Sequence, residues 1–521
     1  LLYCKQHLYG EIMYKTDILL NRDEYKSKVL GCWMGKNIGG TLGAPLEGKQ
    51  DIFHYDFYVN EMNGEPAPND DLDLQLVWLR AMEEKGVFGV NERVLGEYWM
   101  RHIVAAWNEY GIARNNIVNG LLPPLSGSTC NQKWEVSNGA WIRSEIWACV
   151  FAGTPDWASY YAISDACVDH ADDGVYAEIF TASLESAAFI ESDIRKLINC
   201  ALARIPKDCR VARSVKIAID SYDKGLPWED ARNAIVKDSE DLGWFQAPAN
   251  IGFCVIGLLY GEGDFSKSLC TAVNCGDDTD CTGATVGSIM GILNGIEGIP
   301  EKWIKPIGHS IKTWAVSRFH LHIPHTIEEL TDRVIAMKEC ASAEFPELAR
   351  LVDGDTQIPE DIEKRLANGK WVEYQFSVRE KNRLYFDLPW CIFSAKYCGG
   401  VIVEPGKPTS IQLRAECGDE ETANLIVSWH LPEGWEISPS QSQTLMIRDN
   451  AYSEVEVTIT PGPMAEAFEY IPLEVRLSNR QAPTYLTIPL RLAGAAAPSH
   501  AKGDWSAFIA TSLRRGRSFA R

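Results

Sequence analysis

Two acidic clusters, far apart in the chain and alike in build, are the residues best placed to do chemistry. One reads Asn69-Asp70-Asp71-Leu72-Asp73 and the other Gly276-Asp277-Asp278-Thr279-Asp280-Cys281-Thr282. Each stands directly before an apolar run of helical period, so each crowds carboxylates at a helix N-terminus. A cap needs one Asp or Asn to satisfy free N–H groups at the positive end of the helix dipole, whereas each cluster supplies three acids. If the two helix ends meet, Asp70, Asp71, Asp278 and Asp280 share one pocket, and at ~5 Å with an effective dielectric of ~20 each pair repels by roughly 3 kcal/mol. A cation between them relieves that repulsion. Oxygen donors of the Asp, Asn and Thr kind suit hard ions such as Mg(II), Mn(II) or Ca(II) better than zinc, and two divalent ions cancel four charges. The expectation is a hydrolytic site holding two metals.

The elements that must position these clusters are helical. From Tyr25 to about Phe345 apolar residues recur at three and four, as in Leu72, Leu76, Leu79 and Met82. Gly31, Gly35, Gly39 and Gly43 recur every fourth residue, as do Gly283, Gly287, Gly291 and Gly295. Each interior glycine costs about 1 kcal/mol against alanine, so such stripes belong on central helices where bare backbone lets a second helix or a ligand come close. After a stretch rich in Pro and charge, short alternating runs follow: Trp371 to Val378, Leu384 to Leu388, Thr409 to Ala415, Asn424 to Leu431, Ser453 to Thr460 and Thr484 to Leu492. They read as strands of a small immunoglobulin-like β-sandwich. Trp371, Trp390, Trp429 and Trp435 read as its core, with a sugar platform as the alternative. The expected organisation is an extension over 1–23, an all-α catalytic domain over 24–345, a linker over 346–370, a β-sandwich over 371–494 and a disordered tail over 495–521. The chain opens on Leu1, and Met13 is read as its native start.

With 521 residues, 46% of them hydrophobic, the chain can bury more than one core. Its net charge of -21 argues against nucleic acid or an anionic membrane as partner. No apolar run approaches ~18 residues, and the nearest, Ile251 to Tyr260, reads as a core helix. Fifteen cysteines without one C-x-x-C pair suit reduced thiols, and with no secretory leader legible the expected location is the cytoplasm. His320-Leu321-His322-Ile323-Pro324-His325 lacks companion Cys or carboxylate residues and is set aside as a zinc site, as is the lone glycine turn Gly261-Glu262-Gly263 as a dinucleotide site.

The helical part resembles the ADP-ribosylglycohydrolase family, which includes the dinitrogenase-reductase-activating glycohydrolases and the J1 crystallins. Lys28 through Glu47 is similar to the family's opening glycine-rich helix and mobile glutamate, and Asn69-Asp70-Asp71-Leu72 falls where the family writes Thr-Asp-Asp-Thr. Asn138-Gly139-Ala140-Trp141-Ile142-Arg143 resembles the segment lining the ADP-ribose cleft, with His170 following. Gly276 to Cys281 matches Gly-Gly-Asp-Thr-Asp-Thr. The resemblance implies an all-α fold with two Mg(II) or Mn(II) ions held by Asn69, Asp70, Asp71, Asp278 and Asp280. Cys281 stands where a further oxygen is expected, and Thr282 is the substitute ligand. Asp277, in place of a glycine, adds a charge without an assigned role.

On this pattern Glu47, Asp71 and Asp278 are the catalytic residues, Glu47 acting as acid/base or water-positioning group. Cleavage at a ribose anomeric carbon passes through an oxocarbenium-like state, and two metals would orient the sugar and lower the pKa of a water. Asn138, Gly139, Arg143 and His170 are the expected binders of the ADP-ribose remainder, Arg143 as a planar fork for phosphate. The implied substrate is an ADP-ribosylated protein or an ADP-ribose-like small molecule. Two rivals stand beside it: a glycoside or nucleoside hydrolase of the same fold, and a non-catalytic, crystallin-like structural or binding protein.

Overall fold

The computed structural model describes residues 17–496 apart from 318, 418–422 and 449–450. The expected disordered tail and most of the N-terminal extension therefore lie outside the described residues. The chain divides into two compact units. One comprises Tyr14–Gly111 and Asn131–Ser377; the other includes Ile112–Cys130 and the chain from Val378.

Five helices matter for the site: α1 (Arg22–Gly43), α2 (Asp70–Lys85), α3 (Asn108–Val118), α4 (Ala247–Gly261) and α5 (Thr279–Asn294). Asn21 caps α1 by accepting the Asp23 and Glu24 N–H groups, and Asn69 caps α2 by accepting that of Asp71. Both glycine stripes are used in one contact. A Cβ on Gly31 would lie 2.3 Å from the Gly291 carbonyl oxygen, one on Gly35 1.9 Å from that of Gly287, and one on Gly39 1.9 Å from that of Gly283. At Gly43 the neighbour is the Thr279 carbonyl oxygen, at 2.1 Å. Residue numbers rise along α1 as they fall along α5, so the two helices run antiparallel with backbones touching. That register sets the C-terminal end of α1, which leads to Glu47, against the N-terminal end of α5, which carries Asp278 and Asp280. The apolar run Ile251–Tyr260 lies in α4, a buried core helix for nearly all its length. Among the described residues no helix is long and apolar enough to cross a membrane. A short parallel pair, β1 (Leu19–Asn21) with β2 (Arg350–Val352), ties the start of this unit to its later part.

Trp371 to Val378 corrects the sequence expectation. It is a helix, Lys370–Val378, and it packs Trp371 on Trp157 and Tyr160 with ring centroids 5.9 and 5.7 Å apart. Burial falls on Trp371, Val372 and Gln375, a helical spacing that the alternating sequence hides. Tertiary packing on the aromatic cluster overrides the strand-like composition.

The second unit is rich in strands: β3 (Arg383–Leu388), β4 (Cys391–Tyr397), β5 (Ile402–Val403), β6 (Thr409–Cys417), β7 (Ala423–Trp429), β8 (Glu436–Ser438), β9 (Ser442–Ile447), β10 (Ala451–Thr460), β11 (Phe468–Leu477) and β12 (Thr484–Leu492). They form two five-stranded sheets, ordered β3-β4-β6-β10-β8 and β5-β12-β11-β7-β9. Alternate residues point into one apolar core, which holds Ile411, Leu413, Val427, Leu445, Leu473 and Val475. Leu121 and Leu125 join the same core. Trp429 and Trp435 are buried in it and Trp390 packs against it, so these tryptophans are core and offer no open platform.

Candidate active site

The α1–α5 contact and the α2 cap bring the two acidic clusters to one cavity of about 330 Å³. Glu47, Asn69, Asp70, Asn138, Gly139, Asp278, Asp280 and Cys281 line it. Two groups of possible ligand atoms stand within 4.8 Å of one another: Asp71, Asp280 and Cys281, and Glu47, Asp278 and Asp280. Asp280 belongs to both. Asp71 Oδ2 and Asp280 Oδ1 are buried with no hydrogen-bond partner among the described residues. Such orphaned carboxylate oxygens are costly unless a cation meets them, and the set of hard oxygens around them fits a divalent ion.

The electrostatics agree. Burial, then the charges of Asp280 and Asp70, push Glu47 at the rim up to about 8. Burial and Asp280 push Asp70 up to about 6, against the Tyr110 hydroxyl, which donates to Asp70 Oδ2 at 3.0 Å. Asp71 and Asp278 stand well above the usual carboxylate range through burial first, and Asp280 is raised by the same cause. Burial also raises the Cys281 thiol, whose Sγ lies 3.5 Å from Asp71 Oδ1. Protonation is the metal-free site's way of reducing its own repulsion.

Behind the aspartates sits a residue not singled out from sequence. Lys36 is buried within α1 and donates to the Ile142 carbonyl at 2.7 Å and to Glu145 at 2.8 Å, with Asp71 Oδ2 4.0 Å away. Burial works against its ammonium, but Glu145 and Asp71 outweigh that and hold it above the ordinary lysine value. Gln75 completes the frame, donating to the Asp71 carbonyl and to Glu145, each at 2.8 Å. The sequence signal was a lysine inside a glycine stripe.

Several expected roles change. Asn69 lines the cavity, but its Oδ1 accepts the Asp71 N–H at 2.9 Å and its Nδ2 faces Gly40, so its ligand atom is engaged as a cap. Thr282 does not substitute for Cys281: it is fully buried, absent from the cavity lining, and its hydroxyl donates to the Thr279 carbonyl at 3.3 Å. Arg143 is not a phosphate fork. It is fully buried, and its guanidinium donates to Asp165 at 2.7 Å, to Asp169 at 2.7 and 3.1 Å, and to the Gly139 carbonyl at 2.7 Å. Asn138 donates to Asp278 Oδ2 at 2.6 Å and accepts from Trp141 at 3.0 Å, which makes it a brace for Asp278. Gly139 must be bare, since a Cβ there would meet Glu109 at 2.5 Å and the Tyr110 ring at 2.7 Å.

His170 stands behind the wall. Its Nε2 lies 3.1 Å from the Ser137 hydroxyl and its Nδ1 2.9 Å from Asp169. The Ser137 proton goes to the Trp134 carbonyl at 2.6 Å, which takes this Asp-His-Ser row out of service as a nucleophilic triad. Asp277 gains a role. At φ +68° it holds a left-handed backbone, accepts from Phe245 N at 3.0 Å and Asn250 at 3.3 Å, and pairs through its backbone with Gly48 and Lys49. It thereby fixes the segment bearing Glu47 beside Asp278. Asp73 turns away from the centre and accepts the Trp314 and Ala315 N–H groups at 2.8 and 2.7 Å.

The rest of the wall escaped sequence reading. Glu109 is buried with Oε2 lacking a partner, and burial pushes its carboxyl up to about 7. Trp107 and Trp314, 39% and 51% exposed, stack with ring centroids 5.2 Å apart at the cavity's edge. Single aromatic residues in loops carry no periodic signal.

An α-helical unit with an acidic centre of this kind is a frame that could hold a cation. The family model of ADP-ribosylglycohydrolase matches residues 21–343, and the chain belongs to that family. The family is generally hydrolytic and typically metal-dependent. A second model, described as the NPCBM-associated, NEW3 domain of alpha-galactosidase, matches residues 403–479. Among solved structures the chain is similar to one described as an ADP-ribosylglycohydrolase-related protein complex, at 19% identity and a TM-score of 0.41, over 61% of this chain and 99% of that one. No curated protein matches it.

Proposed function

We propose that this chain is a metal-dependent hydrolase of glycosidic bonds, with its centre at Asp70, Asp71, Asp278 and Asp280. The observation that carries the reading is the pair of buried orphaned oxygens, Asp71 Oδ2 and Asp280 Oδ1, in two ligand groups that share Asp280. A non-catalytic relative has no need to keep such a cost. Asp70, Asp71, Asp278 and Asp280 would hold two Mg(II) or Mn(II) ions. Bound there, the ions supply charge for the aspartates and grip for sugar hydroxyls. Lys36 and Gln75 hold Asp71, and Asn138 holds Asp278. Glu47, at the rim and able to carry a proton near neutral pH, is the acid/base group for the bond that breaks.

The family acts on ADP-ribose-linked substrates, so an ADP-ribosylated protein or an ADP-ribose-like small molecule is the first class to assay. The alternative, a glycoside or nucleoside, is favoured by the NEW3 match. The β-rich unit is an immunoglobulin-like sandwich in this reading, outside the chemistry, and the free cysteines suit the cytoplasm. Calorimetry of the full chain with Mg(II) and Mn(II), followed by a hydrolysis panel, tests the function. Absence of uptake by the wild-type protein sinks it.

A further inference from the structure

We infer that the substrate is an uncharged glycoside, a sugar without phosphate, seated between the acidic centre and the Trp107–Trp314 stack. This deepens the hydrolase reading and rests on it. The first observation is charge. Among the described residues lining the cavity none is Lys, Arg or His, while Glu47, Glu109 and three aspartates face it. Two buried cations behind the wall are both committed elsewhere: Arg143 to Asp165 and Asp169, and Lys36 to Glu145 and Asp71. Helix N-termini are the other usual seat for phosphate. Here α2, α3 and α5 each carry an acid of their own in the first turn, so those dipoles are already answered. Two divalent ions would offset the four aspartates and leave Glu47 and Glu109 to repel a pyrophosphate.

The second observation is shape and chemistry. A large apolar pair left open at a cavity edge marks a ligand-binding surface, and tryptophan offers a rigid face to the C–H side of a sugar ring. Asp73, a fully buried acid of the first cluster, has its carboxylate engaged in holding the Trp314 and Ala315 backbone in place. Glu109 Oε2, buried and without a partner, is an acceptor for sugar hydroxyls. An adenine ring would stack on the same tryptophans, so phosphate is the discriminating group.

The experiment uses the full chain loaded with Mn(II) or Mg(II), and three probe sets: p-nitrophenyl glycosides with their parent sugars, adenosine, and ADP-ribose with an ADP-ribosylated protein. Binding is read by ligand-observed NMR and turnover by release of nitrophenol, ribose or ADP-ribose. At least one uncharged compound is expected to bind with an affinity in the ordinary ~1 μM–1 mM range of enzyme substrates. Trp314→Ala should weaken it about tenfold or more with the metals retained, and ADP-ribose should bind more weakly than that compound. Tighter binding of ADP-ribose than of every uncharged sugar overturns the inference, as does failure of all uncharged sugars to bind. Release of ADP-ribose from an ADP-ribosylated protein, with no uncharged compound cleaved, would overturn it while leaving the hydrolase reading standing. Sugar binding that depends on Trp314 with no hydrolysis of any probe sinks the hydrolase reading and leaves the binding class as stated.

Discussion

Two buried clusters of charge in the helical unit behave in opposite ways. Around Arg143 the guanidinium meets Asp165, Asp169 and a carbonyl, and Arg143 and His170 overcome burial to hold Asp169 below the usual carboxylate range. Around Asp280 the carboxyls crowd one another, two oxygens have no partner, and burial drives the acids up. The first cluster is built on its own hydrogen-bonded cation, although burial still raises Asp165 and Glu178 beside it. The second is incomplete by itself, and that deficit is what a cation fills. Count of charge does not separate function from framework; whether a cation is hydrogen-bonded among the carboxylates does.

The largest effect expected is loss of different properties from the two clusters. Asp278→Ala should abolish hydrolysis and remove metal uptake while the protein still unfolds cooperatively in urea. Arg143→Ala should cost about 3–5 kcal/mol of stability, because two buried carboxylates lose their cation. Metal uptake surviving in Asp278→Ala, or unchanged urea stability in Arg143→Ala, would break the comparison. Next in size is Glu47→Gln, expected to slow turnover by ~100-fold with metal affinity kept, as for loss of an acid/base group. Equal rates would remove Glu47 from the chemistry.

Metal affinity sharpens the contrast further. Asp70 is pushed up to about 6 and Asp71 and Asp278 stand well above the usual carboxylate range, so the metal-free site holds protons that a cation must displace. Apparent affinity should rise from pH 6 to 8, by about tenfold per pH unit for each proton released. Calorimetry in two buffers of different ionisation enthalpy counts those protons. The smallest effect is one of sign. Asp280 is raised when folded, so its charge destabilises the metal-free protein above the unfolded carboxylate value near ~4. Asp280→Asn should therefore stabilise that form at pH 8 and leave it unchanged near pH 3. Asp169 is lowered, so Asp169→Asn should destabilise at pH 8, with the difference fading as pH falls. Thermal melts at both pH values decide it.

Much of this architecture was legible from short-range pattern. The acids before each apolar run and the glycine at every fourth position are local signals, and both point to helix ends and helix contacts. What stayed hidden was partnership across the chain. Nothing near Arg143 in sequence announces Asp165 and Asp169 as its sinks, so a planar fork read as free for phosphate. Thr282 looked like a spare ligand because linear proximity to Asp280 says little about which side of a helix faces the cavity. Lys36, Glu109, Trp107 and Trp314 are single residues whose meaning comes from neighbours tens to hundreds of positions away. Lys370–Val378 alternates like a strand and is a helix, since Trp157 and Tyr160 decide its burial.

The glycine contact of α1 with α5 works as a gauge block. Helices separated by ordinary side chains sit 8–10 Å apart and adjust when one residue changes size. Here carbonyl oxygens occupy the places where Cβ atoms would be, at 1.9–2.3 Å along α1. The spacing therefore has a hard lower stop and no slack for even one methyl group. Gly35 lies two turns back from Gly43, yet alanine at Gly35 must wedge the helices apart and carry Glu47 away from Asp278 and Asp280. A core position remote from substrate is thus a calibration point for the active site, and drift there would register as lost turnover before it registered as lost fold.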